Sequence, residues 1–391
     1  MSLFRLVPLF NTPVDNVCAL TVGSLQLGKE QVVIGSSDGY IYIYDISIQS
    51  STQHDNHLVT HSIGLPILQL LIDDFLPSFN SSLLSVLTPN ILLIYNLVKD
   101  EGGAWTLRQI LSHKLTETSY CMLSIPLSSN PSILVQSVGA SLSLFQGEHN
   151  VLSRLLSVSL QPGPLVFCPS TSSIITSSSA TLKSVKYIQL SSHAIGGKKL
   201  TFDWTLSLGD VIVAIESMEG NVQPSIVVLC RKRLIALTSG GSMRFSYQLE
   251  CLALALKCYN NGGNAFIMSL VSTLNGSILV LRDSLLVWST TSHPSPFISL
   301  IDTSEMQRLV VTGDNRGMNV GYLGTEPSIN RLPISPLTTV DYAAKKEQMV
   351  KFEEETKAFG GKGTDGRMSI SEMKVNIKVG ELENGTVRNI E

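Results

Sequence analysis

What is missing narrows the field first. The six cysteines (Cys18, Cys121, Cys168, Cys230, Cys251 and Cys258) include no C-x-x-C pair. They lie mostly inside apolar stretches such as "IVVLC" and "LVFC", and so read as buried, reduced thiols of a cytosolic chain. No uncharged apolar run reaches about eighteen residues, so there is no candidate transmembrane helix. The opening "MSLFRLVPLFNTP" lacks both the long apolar core and the small-residue cleavage site of a secretory signal. The expectation is a protein inside the cell, where a sequon such as Asn275-Gly276-Ser277 has no meaning for glycosylation. Charge is scarce as well: 15% of the residues are charged and the formal net charge is −3. That argues against a surface dedicated to nucleic acid, which needs a clustered basic face to displace counterions. Before residue 341 there is almost no helical periodicity.

Apolar residues, by contrast, make up 43% of the 391 positions, enough for one large core or two ordinary ones. The few charges are unevenly spread, with 40 in residues 1–340 and 19 in residues 341–391. The last stretch is therefore about three times as charge-dense, which predicts a domain boundary near Asp341.

Repetition organises the rest. Runs rich in Val, Ile, Leu and Tyr recur, each broken by a turn and followed by a second run. They read "VVIGSSDGYIYIYD" (32–45), "LLSVLTPNILLIYNL" (83–97), "ILVQSVGASLSLFQ" (133–146) and "SIITSSSATLKSVKYIQL" (173–190). Then follow "SIVVLCRKRLIALTS" (225–239), "SLVSTLNGSILVLRDSLLVWS" (269–289) and "RLVVTGDNRGMNVGYLG" (308–324). The turn centres are spaced by about 46 residues on average, in the range of a four-stranded propeller blade. β-branched and aromatic residues favour strands, and breaks such as Asp-Gly and Asn-Gly tolerate the positive φ of tight hairpins. Several strands, "ILLIY" and "SIVVLC" among them, are apolar on both faces. A sheet with one wet face would alternate; a blade packed between two others hides both faces. Seven such units suit a closed ring without long exposed edges. The expectation is an all-β chain, a seven-bladed β-propeller in residues 1–335, rather than two β-sandwiches.

The end of the chain reads differently. A charged helix is predicted for 336–360, carried by "DYAAKKEQMVKFEEETKAF". Residues 361–391 read as a flexible linker followed by the incomplete start of a further β-domain, too short to bury a core of its own.

Chemical motifs are few. Gly35-Ser36-Ser37-Asp38-Gly39 matches G-x-S-x-G, but a nucleophile elbow needs a helix after the serine. Here "YIYIYD" follows, with Tyr40, Tyr42 and Tyr44 on one face and Ile41 and Ile43 on the other, so Asp38-Gly39 reads as a hairpin turn. His54, His57 and His61 could suggest a metal site, yet they lack the further ligands and tight geometry of zinc centres and read as a solvated connector. "GDNRGMNVGYLGTE" (313–326) lacks the oxygen ligands of a calcium loop, and "FGGKGT" lacks the spacing and Lys-Ser/Thr of a phosphate loop. Arg231-Lys232-Arg233 falls in the fifth hairpin turn, where like charges keep the connection wet. Trp105, Trp204 and Trp288 read as packing anchors. No catalytic, cofactor-binding or metal site is predicted, no cofactor is implied, and the partner-binding residues stay open. Inner strands of Val, Ile, Leu and Ser argue against an enzyme, which would converge acids or histidines on the channel.

Long stretches carry a resemblance. "LQPGPLVFCPSTSSIITSSSATLKSVKY" (160–187), "LTFDWTLSLGD" (200–210) and "GYLGTEPS" (321–328), with "MSLF" and "VVIGSSDGYIYIYD", resemble the Bardet–Biedl syndrome protein 9, or parathyroid-hormone-responsive, family, in order from residue 1 to about 330. The resemblance implies a seven-bladed propeller at the N-terminus of a noncatalytic subunit of the BBSome, a coat-like complex moving membrane proteins to and from cilia. It implies other BBSome subunits as partners, indirect contact with membranes, cargo receptors and a small GTPase, and no nucleic acid or small-molecule substrate. The implied location is the cytoplasm, the cilium, the basal body and centriolar region, and the peripheral ciliary membrane. Family members continue into a coiled segment and an appendage-like β-domain, so a chain ending at Glu391 is expected to carry the N-terminal part only. The rival is a propeller adaptor of another vesicle coat or a ubiquitin ligase. WD-type adaptors repeat Trp-Asp pairs, and this sequence contains none. "PGPL" (162–165) is expected to be a rigid strand entry, and "FDWTL" (202–206) an outer blade strand.

Overall fold

Each of the seven hairpins lies at the centre of a four-stranded antiparallel sheet. The computed structural model describes residues 5–26, 28–46, 56–79, 81–126, 131–156, 161–191, 201–219, 223–260, 266–304 and 306–323, together with 346, 347, 349–351 and 354.

Strand β1 (Leu6–Pro13) precedes the first sheet. Blade 1 comprises β2 (Val17–Gln26), β3 (Lys29–Ser36), β4 (Tyr40–Asp45) and β5 (His57–Ser62). Blade 2 comprises β6 (Gln69–Asp73), β7 (Leu83–Leu87), β8 (Ile91–Lys99) and β9 (Trp105–Lys114). Blade 3 follows as β10 (Ser119–Ile125), β11 (Ser132–Ser137), β12 (Ser141–Gln146) and β13 (His149–Leu155). In blade 4 are β14 (Leu165–Cys168), β15 (Ser173–Ser178), β16 (Thr181–Lys186) and β17 (Trp204–Ser207). Blade 5 holds β18 (Ile212–Met218), β19 (Ser225–Cys230), β20 (Arg233–Thr238) and β21 (Met243–Gln248). Blade 6 holds β22 (Ala253–Asn260), β23 (Ile267–Thr273), β24 (Ser277–Arg282) and β25 (Leu285–Thr291). Blade 7 has only three strands of its own, β26 (Phe297–Ile301), β27 (Leu309–Asp314) and β28 (Gly317–Leu323).

The fourth strand of blade 7 is β1, paired to β28 from Leu6↔Leu323 to Pro13↔Gly317. The repeat count alone does not reveal this closure. Pro8 and Pro13 explain why β1 is outermost, because proline cannot donate to a second ladder. The first strands of the blades touch one another in cyclic order, with β26 against β2, and so form the inner ring.

Seven apolar clusters fill the seven seams between blades. Ile41 and Ile43 pack with Leu84, Val86 and Leu93 of blade 2, while Tyr44 on the opposite face packs with Leu309, Val311 and Val320 of blade 7. The double-sided strands of the sequence are thus sandwiched between neighbours. β7, β11, β19 and β23 are buried along their whole length.

Two local expectations need correction. Residues 187–190 were expected to continue a strand, but they form α1 (Tyr187–Ser191). The β15–β16 ladder ends at Ser173↔Lys186, so the chain beyond Lys186 has no strand to pair with. The outer strand of blade 4 resumes only at Trp204, in the "FDWTL" segment. Turn chemistry is also broader than Asp-Gly and Asn-Gly: Ala140 (φ 60°) occupies the hairpin position of Gly39 and Gly276, and Ser179 takes a positive φ (53°) one place earlier in its turn. The seven hairpins are the second and third strands of their blades, one place out from the channel strands.

The chain divides into two compact units, residues 1–334 and 335–391. In the second, the described residues 346, 347, 349–351 and 354 are helical, with Lys351 Nζ 3.4 Å from Glu347 Oε1 one turn away.

Candidate functional site

Antiparallel strands give the ring two different faces. One carries the turns between second and third strands and the connectors from blade to blade. The other carries the remaining turns.

Ser37 lies on the first of these faces, exposed in the turn between β3 and β4. Its N–H donates to Asn16 O (2.9 Å). Asp38 N donates to Ser36 Oγ (3.0 Å) and Asn16 Nδ2 to Asp38 Oδ2 (2.8 Å), while Gly39 adopts φ 84°. A strand, β4, follows instead of a helix, and the serine has no elbow to stand on.

His54 lies outside the described residues. His57 and His61 are not in a loop but on β5, because the blade needs a fourth strand there. A bulge between Ile43 and Tyr44 sends them apart: His57 meets the Tyr44 ring edge-on at 5.3 Å, in the seam toward blade 7, and His61 meets Tyr95 at 5.2 Å, in the seam toward blade 2. Burial lowers the pKa of His61. Divergent rings cannot share an ion.

Asp314–Gly317 forms the last hairpin turn, where Arg316 N donates to Asp314 Oδ1 (2.9 Å). "FGGKGT" lies outside the described residues. Arg231 and Lys232 are exposed in the fifth turn as expected, but Arg233 is partly buried, its guanidinium donating to Leu208 O (2.5 Å). Trp105, Trp204 and Trp288 sit on fourth strands and pack onto seam clusters, with Trp204 Nε1 donating to Ser239 O (3.3 Å). All six thiols are free. Cys168, Cys230 and Cys258 are buried, and the other three are half-buried.

The inner ring and the chain next to it hold polar groups that composition did not reveal. Ser124 Oγ donates to Asp73 Oδ2 (2.5 Å), joining blades 3 and 2. Glu216 on β18 receives Cys258 N (2.5 Å) and Lys257 Nζ (3.5 Å) from blade 6, and burial still raises its pKa. Glu219 receives Ser170 N (2.8 Å) from blade 4, and its carbonyl accepts Asn260 Nδ2 (2.9 Å) from blade 6. Arg308 of blade 7 donates to Asn260 O (2.8 Å), and Asp302 N donates to Glu30 Oε2 (2.7 Å) of blade 1. These groups act as stitches from blade to blade. Each acid is separated from its partner by 41 to 272 residues, so no short motif could have exposed it. Beside the last stitch a cavity of about 250 Å³ opens between blades 7 and 1, with Lys29 paired to Asp45 at 3.1 Å on its wall.

The described geometry is therefore one of turns, seams and stitches. Among known proteins, the family model described as PTHB1 N-terminal matches residues 1–327. The chain belongs to the PTHB1 family. This is the parathyroid-hormone-responsive family that the sequence stretches resemble. Among PTHB1 relatives, the Caenorhabditis elegans pthb1 homolog is 32% identical over 398 residues, covering 99% of this chain and 52% of the relative. Mouse PTHB1 is 24% identical, covering 96% and 45%, and human PTHB1 is 25% identical, covering 81% and 39%. This chain spans about half the length of the curated relatives it matches. Among solved structures, BBS1N, crystallised in complex with ARL6DN, superposes with a TM-score of 0.64 at 15% identity, covering 83% of this chain and 99% of that one. Raptor from Chaetomium thermophilum superposes at 0.60 and 13% identity, covering 83% and 29%. At these identities the likeness is one of fold.

Proposed function

We propose that this chain is the propeller part of a noncatalytic BBSome scaffold subunit, holding other subunits through its faces and rim. In this reading it serves trafficking of membrane proteins to and from cilia. It works in the cytoplasm, at the basal body and centriolar region, and at the ciliary membrane, which it contacts indirectly. The observation that carries the proposal is the family match over residues 1–327, coextensive with seven blades whose last strand ends at Leu323. Crystallisation of the similarly folded BBS1N with ARL6DN supports a role in which such a ring presents its surface to proteins. Polar groups of the inner ring are engaged in holding blades together, which suits a rigid platform. No cofactor or small-molecule substrate enters this reading.

The test is affinity purification of the tagged 391-residue chain from ciliated cells. Recovery of other BBSome subunits is the expected result. Recovery of a different vesicle coat or of a ubiquitin ligase would put the adaptor reading in its place.

A further inference from the structure

Blades 3 and 6 are built to one register. Ser119 N donates to Pro89 O as Ala253 N does to Arg231 O, and Leu115 N to Asn90 O as Leu249 N does to Lys232 O, all at 2.8 Å. Ser141 N donates to Ser137 Oγ (3.0 Å) as Ser277 N does to Thr273 Oγ1 (3.1 Å). The connectors leading into the two blades have equal lengths. Position by position, Glu117 corresponds to Cys251, Gly139 to Asn275, and the neutral Pro89-Asn90 turn to Arg231-Lys232.

The two notches differ in what fills them. Between blades 2 and 3, the Glu117 carboxylate folds back and accepts Ser137 Oγ (2.5 Å) and Ser141 Oγ (2.8 Å). These hydroxyls hold its carboxyl below the usual range, and about 20 Å³ of the notch stays open. Gly139 makes room for this, since a Cβ there would stand 3.0 Å from Glu117 Oε2. Between blades 5 and 6, Cys251 supplies no carboxylate. About 110 Å³ stays open, and the wall positions held by Ser143 and Asn150 in the other notch are now Leu279 and Leu286. On the adjoining turn Arg231 and Lys232 are exposed, and neither forms an ion pair among the described residues. Leu286 (39% exposed) lines the opening, and Leu274 (53%) lies on the turn beside it, between the lining residues Thr273 and Asn275.

We propose that the notch between blades 5 and 6 docks an Asp or Glu side chain presented beside an aliphatic residue on an extended segment of a partner protein. The incoming carboxylate sits further out than Glu117 does in the other notch, because Asn275 stands where Gly139 leaves room, and it takes the Ser277 hydroxyl and the Asn275 Nδ2 amide as donors. Arg231 and Lys232 supply the positive field, and the two leucines cover the aliphatic neighbour. Two acids oppose this, Glu250 on the rim and Asp210, whose Oδ2 accepts Lys232 N (3.0 Å) from the far side of the turn. The site follows from blade geometry and holds whichever complex the chain joins, so its test needs no BBSome subunit.

The purified 391-residue chain is applied to an array of immobilised heptapeptides with randomised flanks and a fixed central Glu, Asp, Gln or Lys. The Glu and Asp pools are expected to bind about tenfold above the Gln and Lys pools, the scale of a charge-assisted hydrogen bond set. Arg231→Ser/Lys232→Ser weakens that binding several-fold, and Glu250→Gln strengthens it. Cys251→Glu/Asn275→Gly fills the notch from within, as Glu117 does, and abolishes the acid preference. If this last variant fails to fold, the exposed Arg231→Ser/Lys232→Ser pair decides alone. Equal binding to all four pools overturns the proposal, as does an acid preference indifferent to these variants. So does a chain that ignores the peptides but floats with phosphatidylserine vesicles through Arg231 and Lys232.

Discussion

Truncating Phe10 to Ala strikes the seam where the two ends of the ring meet. Phe10 is 6% exposed on β1. It packs with Val311, Met318 and Val320, and its ring lies 6.0 Å from that of Tyr44 in blade 1. Removing a buried Phe side chain costs about 3–5 kcal/mol. β1 is an edge strand with a register break between Pro8 and Phe10, so it can settle inward and reduce the cavity. A loss near the lower end, about 3 kcal/mol, is therefore expected against a total stability of roughly 5–15 kcal/mol. Leu9, on the same strand but 37% exposed, is the control, and Leu9→Ala should cost less than about 1 kcal/mol. Urea titrations followed by circular dichroism read the difference as a lower midpoint with unchanged slope. Amide exchange at Val320, paired with Phe10, should accelerate in the same variant. If Phe10→Ala and Leu9→Ala behave alike, with both losses below about 1 kcal/mol, β1 does not close the ring and the assignment of blade 7 is wrong.

Gly39 (φ 84°) has no room for a Cβ, which would stand 2.7 Å from Leu65 O. Gly39→Ala should cost about 2 kcal/mol or more in thermal melts, while Ser37→Ala stays within about 0.5 kcal/mol; a hydrolase activity abolished by Ser37→Ala would refute the turn. Burial lowers the pKa values of His61 and His113 below the ordinary 6.5. Their contribution to stability is therefore complete above about pH 6.5 and is lost as pH falls through the folded values. Replacing both with Gln should flatten the fall in urea midpoint on the acid side, and an unchanged slope would count against it. Burial pushes the thiol of Cys121 up to about 12, and those of Cys18 and Cys230 up to about 11. At pH 8 these three should react with a disulfide reagent only on unfolding, as read by mass mapping of labelled sites.

The propeller was legible in the sequence because each blade repeats the same physical problem. A hairpin such as "VVIGSSDGYIYIYD" is greasy on both sides, and only neighbours on both sides can dry it. The turn at Ser37 was legible for a local reason, since a strand rather than a helix follows Gly39. The histidines were misplaced because "HLVTHS" alternates weakly as a fourth strand, half wet, and its pattern resembles a loop. Residues 187–190 failed in the opposite sense: their apolar alternation looks like strand, but the partner ladder ends at Ser173.

Number of blades, strand character and double-sided burial were thus set by local composition and its period, which any stretch of the chain declares for itself. Only the tertiary structure could decide that β1 crosses from one end of the chain to complete blade 7. It alone decided that Glu216, Glu219 and Glu30 tie adjacent blades, and that Glu117 closes one notch while Cys251 leaves its counterpart open. Those outcomes depend on pairing between residues far apart in sequence, where geometry, not composition, determines which donor meets which acceptor.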